Sequence, residues 1–507
     1  MAEIEDPSPG TAVAPVTAVC PCEPMVDKAE DKPVPDTGRS PDCIVIGAGP
    51  AGLAAALEFL RHGHVPLVLE KDSIVGGIAR TESYRGFSFD MGGHRFFTKS
   101  DAVNRLWQDL LGEDFLLRPR LSRIFYRHKF FAYPPRLWDA LIGLGPRESI
   151  RVLASYLRWQ LLPYRQVTTF EQWVTNAFGK RLFEHFFKTY TEKVWGIPCS
   201  DLRAEWAAQR IQDLSLGVMM KNLVRKTGTR VTTLIDRFHY PRFGPGMMWE
   251  AARRRIHGGG GEVRMNADVI RVHRNRMHID RIVVREGERE YSIAAELFVS
   301  SMPLSELVGK LDPLPPPPVL AAAGNLRHRG FLTVCLIVDA TDLFPDNWIY
   351  VHEPGVRVAR IQNYTNWSKA MVADETKSGL GLEYFCNEGD ELWCMDDTEL
   401  IALAGRELET IGLLPPGQVI DGQVYRIADA YPVYDNNYTA NLAQVRNFCD
   451  GLENLRTVGR NGLHRYNNMD HSMLTGMYAV RMLLFGEHHD LWSINIEQEY
   501  HEWIAGS

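Results

Sequence analysis

Three glycines, Gly47, Gly49 and Gly52, follow the apolar run DCIVI (42–46) and open the helix-like stretch LAAALEFLRHG. A second apolar run, VPLVLE, ends on Glu70. Each residue type has a physical task in holding a dinucleotide. Gly47 permits a tight turn, Gly49 lets the backbone approach a pyrophosphate, and Gly52 lets the helix lie close against a sheet. The phosphates then meet the positive end of the helix, and Glu70 accepts hydrogen bonds from a ribose. A glycine triplet alone is weak evidence. Strand, glycines, helix, strand and terminal acid in the right order make it specific.

The residues beyond Glu70 point to a flavin and away from a nicotinamide. Gly76 and Gly77 permit a second close passage of the backbone, and Arg80 can reach a phosphate. Gly92 and Gly93 form another glycine turn, which can bring the His94 imidazole against a flat cofactor. Near the other end, Gly459 and Arg460 precede the last long helix, whose N-terminus can point at the same ring. Tyr431 and Tyr434 stand around the rigid Pro432, next to Asp435 and Asn436. The sequence contains no HExxH motif and no evident Ser-His-Asp set. Chemistry would fall to the cofactor, with the protein supplying position and electrostatics.

Those residues need elements to carry them. The pattern predicts an α/β fold with a discontinuous Rossmann-like FAD-binding domain, a helical insertion and an antiparallel-sheet substrate domain. Residues 1–39 read as a disordered tail, low in hydrophobic content and broken by proline. Residues 40–100 form the first part of the FAD domain, and 101–239 a mainly helical insertion. Within the insertion, 122–133 reads as a hairpin, and the basic stretch 217–239 as a solvated segment or a mobile anion-binding lid. Residues 240–303 return to the FAD domain, with Asp268 and Val269 at a sheet edge. Residues 304–430 form the substrate-domain sheet after an extended proline connector, and 431–507 a closing FAD-binding segment.

Composition narrows the function classes. The 507 residues carry 56 Lys and Arg against 63 Asp and Glu, a net charge of -7 that gives no global footprint for nucleic acid. Eight cysteines in this length do not make a disulfide scaffold. Cys20 and Cys22 have no second ligand pair nearby, so no metal site is expected. With no basic signal start and no membrane-spanning run, a cytoplasmic location is the expectation.

Across roughly 42–480 the chain resembles the UDP-galactopyranose mutases, within the flavoprotein superfamily of the amine oxidases, protoporphyrinogen oxidase and carotenoid desaturases. The resemblance rests on Gly76-Gly77-Ile78-Ala79, Gly92-Gly93-His94-Arg95-Phe96-Phe97-Thr98, Tyr190-Thr191-Glu192-Lys193-Val194-Trp195-Gly196, Tyr431 to Asn436, His328-Arg329 and Gly459-Arg460. It implies non-covalent FAD bound by Gly47, Gly49, Gly52, Glu70, Lys71, Gly76, Gly77, Arg80, Gly92, Gly93, His94, Val269, Gly459, Arg460, Asn468 and Met469. It also implies a catalytic set of His94, Arg329, Arg460, Tyr431 and Trp195, with the arginines on a diphosphate.

The reaction implied is a pyranose–furanose interconversion of a nucleotide-diphosphate sugar through a reduced-flavin N5 adduct, with NAD(P)H as an external reductant and a homodimer compatible with the family. The chain departs at QRIQDLSLG (209–217) and at Asn467-Asn468-Met469-Asp470. The alternative reading is therefore an FAD-dependent oxidase, dehydrogenase or desaturase acting on an amine or apolar substrate.

Overall fold

The computed structural model describes residues 41–133, 137–204 and 237–495. The expected tail and most of the basic 217–239 stretch lie outside them. The last three residues of that stretch belong to the strand Arg237–Pro241, which pairs antiparallel with Phe115–Pro119.

Cys43–Ile46 is the middle strand of a five-stranded parallel sheet, buried throughout, which is why its sequence is apolar without alternation. Its neighbours are Pro66–Leu69 on one side and Leu297–Ser300 on the other, and Glu262–Arg264 and Leu455–Thr457 complete the edges. The sheet thus gathers strands from opposite ends of the chain, so the dinucleotide domain is discontinuous.

Close packing fixes the helices on it. A Cβ at Gly52, in the helix Pro50–Arg61, would lie 1.9 Å from the carbonyl oxygen of Gly47. The last long helix, Met469–Phe485, crosses the same helix at Gly476, where a Cβ would meet the Ala51 oxygen at 2.2 Å. Only glycine permits either approach.

The remaining strands form other layers. A four-stranded sheet runs Arg289–Ala294, His278–Glu286, Asp268–Asn275, Leu311–Asp312. Leu311–Asp312 meets Asp268–Asn275 only at Val272 and His273, so Asp268 and Val269 pair on one side alone, with His278–Glu286. A seven-stranded sheet runs Val419–Pro432, His328–Val338, Ser378–Cys386, Arg360–Asn363, Trp348–Val351, Ser122–Tyr126, Lys129–Ala132. All its pairs are antiparallel except Trp348–Val351 with Ser122–Tyr126. The hairpin expected inside the helical insertion forms, but it extends the large sheet. The proline run is not wholly extended: Pro317 starts the helix Pro317–Gly324, where its missing N–H costs no helical bond.

The glycine contact between first and last helices yields a stability prediction. Gly476→Ala is expected to destabilise the protein by roughly 1–3 kcal/mol, because the methyl group meets backbone that cannot give way. Gly309→Ala, in the helix Leu304–Lys310 with nothing within 4 Å of its Cβ position, should be neutral or stabilising by up to about 1 kcal/mol. Denaturant midpoints of the two variants measure the contrast.

Candidate active site

The carboxyl ends of the parallel strands open into a cavity of about 560 Å³ lined by Gly47, Glu70, Ser301 and Gly459, among others. In an open α/β sheet this is where ligands bind. Gly49 caps the helix Pro50–Arg61 with no side-chain acceptor on the helix amides, which leaves its positive end available to an anion. Gly77 faces Gly49 closely, and a Cβ at Gly77 would stand 3.4 Å from the Gly49 Cα. A side chain at either position would fill the cradle that a pyrophosphate needs. Glu70 accepts from the Ala48 amide at 2.7 Å and the Asp72 amide at 3.0 Å, which aims its carboxylate along the cavity floor. Burial raises its pKa, with the two backbone bonds opposing. These residues suit the ADP half of FAD.

The seven-stranded sheet supplies another wall. Side chains two apart on a strand share a face, so Trp348 and Tyr350 on one strand and Arg360 and Gln362 on the next all line the cavity. Register places Trp348 opposite Gln362 and Tyr350 opposite Arg360. Arg360 in turn stands opposite Glu383, and the two form a buried ion pair. Burial works against the Arg360 charge, but Glu383 outweighs it and the guanidinium is held firmly protonated. Arg360 also donates to the Tyr431 hydroxyl at 2.8 Å, and Gln362 donates to Glu383 at 2.8 Å. Arg360, Gln362 and Glu383 were missed in the sequence. The available signal was a lone charge in each of two otherwise uncharged strands.

The Gly92-Gly93-His94 turn lies against this wall, since a Cβ at Gly93 would approach Gln362 Nε2 at 2.9 Å. His94 Nε2 lies 3.0 Å from the Met91 carbonyl. A carbonyl only accepts, so that nitrogen carries the ring proton and Nδ1 is left as an acceptor. Burial, then Arg460 and Arg360, lower the His94 pKa to about 3, so the ring is neutral at physiological pH. Arg460 donates to the Asn467 carbonyl at 3.0 Å and the Ala430 carbonyl at 3.2 Å. Its guanidinium stacks 4.5 Å from the Tyr466 ring and 5.4 Å from Tyr431.

Of the residues expected from the sequence, Gly47, Gly49, Glu70, Lys71, Gly77, Arg80, Gly92, Gly93, His94, Val269, Tyr431, Gly459, Arg460, Asn468 and Met469 line this one cavity. Arg80 is held by Asp72 and Glu82, at 2.8 and 2.7 Å. Gly52 and Gly76 do not line it. Gly52 packs the first helix, and a Cβ at Gly76 would strike the Trp249 ring at 2.5 Å.

Trp195 and Arg329 also lie elsewhere. Trp195 is buried edge-on to Tyr431 and Tyr434. Arg329 donates to the Phe385 carbonyl at 2.9 Å and pairs with Asp390 at 3.3 Å, beneath Gly196, whose Cβ would fall 2.4 Å from its Cζ. The segment Tyr190–Gly196 is thus a clamp between the helical insertion and the large sheet. Within it Lys193 donates to the carbonyls of Glu353 at 2.7 Å and Val358 at 3.2 Å, and burial lowers its pKa to about 8. Among the described residues, no group of His, Cys, Asp and Glu could hold a metal.

A family model described as flavin containing amine oxidoreductase matches residues 50–425, and the chain belongs to that family. The Mycobacterium tuberculosis protein AofH, assigned as a flavin-containing monoamine oxidase, is 46% identical over 69 residues, covering 14% of this chain and 15% of that protein. The 15-cis-phytoene desaturase of Synechococcus elongatus is 24% identical over 285 residues, 52% of this chain and 58% of the desaturase. The matches thus span well under two thirds of these curated relatives. A structure of reduced UDP-galactopyranose mutase shares the fold with a TM-score of 0.77 at 21% identity, covering 90% of this chain and 98% of the mutase. The fold is that of the FAD-binding flavoenzymes.

Asp90, wholly buried just before the Gly92 turn, gives a pH-dependent prediction. Burial lifts its carboxyl to about 7, against hydrogen bonds from Tyr240 and from Thr81 at 2.8 Å that lower it. The folded state therefore binds this proton more tightly than the unfolded chain. Its contribution to stability is full below the ordinary value of 3.8 and is lost as pH rises through about 7. Asp90→Asn keeps an acceptor for one hydroxyl, turns an amide N–H to the oxygen of the other, and removes the titration. Between about pH 4 and about pH 8 the wild type should lose more stability than the variant in urea titrations; parallel profiles would contradict the assignment.

Proposed function

We propose that the protein is an FAD-dependent oxidoreductase that withdraws hydride from an apolar substrate. The observation that carries this reading is the aromatic wall: Trp348, Tyr350, Trp367, Tyr431 and Tyr466 line the same cavity as the glycine turns. Rings so placed hold a flat apolar group and exclude water from it. FAD, when bound, supplies the hydride acceptor; the other tasks belong to the chain. Gly49, Gly77 and the helix N-terminus hold its pyrophosphate, and Glu70 its ribose. Neutral His94 offers Nδ1 as an acceptor beside the reacting groups, while Arg360 and Arg460 stabilise negative charge as it develops. Arg460, which no carboxylate balances among the described residues, disfavours a protonated amine beside it, which separates this site from the amine substrates the family description evokes. The likeness to a phytoene desaturase over 285 residues supports the same choice.

A second reading, a mutase acting on a nucleotide-diphosphate sugar with NAD(P)H as the source of reducing equivalents, is favoured by one observation. Arg460 donates to carbonyls, and among the described residues no carboxylate pairs with it, so its charge is available to a phosphate. In this reading Arg360 and Arg460 replace Arg329 as the diphosphate ligands, with Tyr431 beside them.

Anaerobic absorbance titration separates the readings. The oxidoreductase bleaches its flavin on addition of substrate alone and leaves an oxidised product. The mutase turns over hexopyranose nucleotides only after prior reduction, with no net redox change. Acid precipitation should release the yellow colour into the supernatant, since none of the cysteines among the described residues lines the cavity. Arg460→Ala is expected to weaken FAD binding or slow turnover by about tenfold or more, the scale of a charge-assisted hydrogen bond. Unchanged FAD affinity and turnover in that variant would remove Arg460 from the site.

A further inference from the structure

The helix Pro146–Leu161 carries apolar residues on two faces. Val152 and Tyr156 are buried against the protein. On the other side Ile150, Leu157 and Leu161 are 68%, 61% and 80% exposed, joined by Leu162 at 68% and by Ile142 on the preceding helix at 75%. The spacing 150, 154, 157, 161 follows one stripe of a 3.6-residue helix, with Ala154 in the gap. Isolated exposed leucines are ordinary on a protein surface; five large aliphatic side chains over 21 positions form a patch.

The charges beside this stripe share a sign. Residues 140–170 contain four arginines, Arg147, Arg151, Arg158 and Arg165, and one acid, Glu148, in a protein of net charge -7. At 100° per residue Arg147, Arg151 and Arg158 fall together on one flank of the stripe. Glu148 is occupied by His185 at 3.0 Å and Arg181 at 3.3 Å as well as by Arg151. The exposed guanidiniums are therefore left largely uncompensated.

We propose that this face docks on an anionic lipid surface, with Ile142, Ile150, Leu157, Leu161 and Leu162 entering the acyl boundary and the arginines meeting the headgroups. The combination of an outward apolar stripe and flanking cations is that of an in-plane interfacial helix. A second copy fits less well. A twofold interface sets a patch against itself, which would oppose one arginine flank to another without an acid to separate them. No helix among the described residues is long and apolar enough to cross a membrane, so the attachment is peripheral. The proposal does not depend on which reaction the cavity performs.

The test is flotation of the flavin-loaded protein with vesicles of phosphatidylcholine containing about one third phosphatidylglycerol, against vesicles of phosphatidylcholine alone. The wild type should float with the anionic vesicles and lose about tenfold in partitioning when salt is raised or the anionic lipid is omitted. Leu157→Glu with Leu161→Glu should abolish flotation while the flavin spectrum is unchanged, since neither residue lines the cavity. Arg151→Gln with Arg158→Gln should weaken binding to the anionic vesicles alone. Flotation that survives the leucine changes overturns the proposal. So does the absence of flotation, or a wild-type dimer that those changes convert to monomers without any vesicle binding.

Discussion

The contact on which the rest of the site depends is the backbone-to-backbone approach at Ala51 and Gly52. Gly52 lets the first helix lie against the turn at Gly47, and Gly476 lets the last long helix lie against the Ala51 carbonyl. Both approaches leave less room than a methyl group occupies. Because the last helix is seated there, its first residue Met469 and the residues before it, Gly459, Arg460 and Asn468, reach a cavity whose floor was laid by residues 47–80. More than 370 positions separate the two halves of the lining. Loop closure over that distance costs entropy, which the helix packing that these glycines permit and the pairing of Leu455–Thr457 into the parallel sheet help to offset.

The second constraint is electrostatic. The large sheet buries Arg360 opposite Glu383, and breaking such a pair from one side strands a charge at a cost of about 3–5 kcal/mol. The pair is therefore weak evidence for stability and better evidence for position. It fixes Arg360 Nη2 on the Tyr431 hydroxyl and orders Gln362 against the Gly93 turn. His94 then sits in a field of two guanidiniums that, with burial, keeps it neutral. The same wall joins the dinucleotide domain to the large sheet, so the cofactor half and the substrate half of the cavity share one set of supports.

What the sequence disclosed depended on locality. Strand, glycine turn, helix and Glu70 lie within one βαβ unit, and each carries a residue type that its backbone task demands. The glycines at 92–93 and 459 were legible for the same reason. Arg360 and Glu383 were not, because their pairing is set by register between strands 23 residues apart. Arg329 drew attention through a two-residue likeness, yet its guanidinium is spent on Phe385 and Asp390. The Tyr190–Gly196 segment matched its motif in full without facing the cavity. Tyr190 stacks on His352 at 4.8 Å, Lys193 holds strand-end carbonyls, and Gly196 makes room for Arg329. A complete motif can mark a joint in the fold as readily as a site.

The distribution of charge in the cavity limits its chemistry more than the family does. Arg360 is balanced by Glu383, whereas Arg460 is held by carbonyl oxygens and the faces of Tyr466 and Tyr431. Carbonyls and rings orient a guanidinium and stabilise it without cancelling its charge. Arg460 therefore keeps its positive charge near neutral His94, in a cavity also lined by Trp348, Tyr350 and Trp367. On the reading proposed above, Arg460 favours negative charge beside it, whether that charge arrives on the substrate or develops as the reaction proceeds.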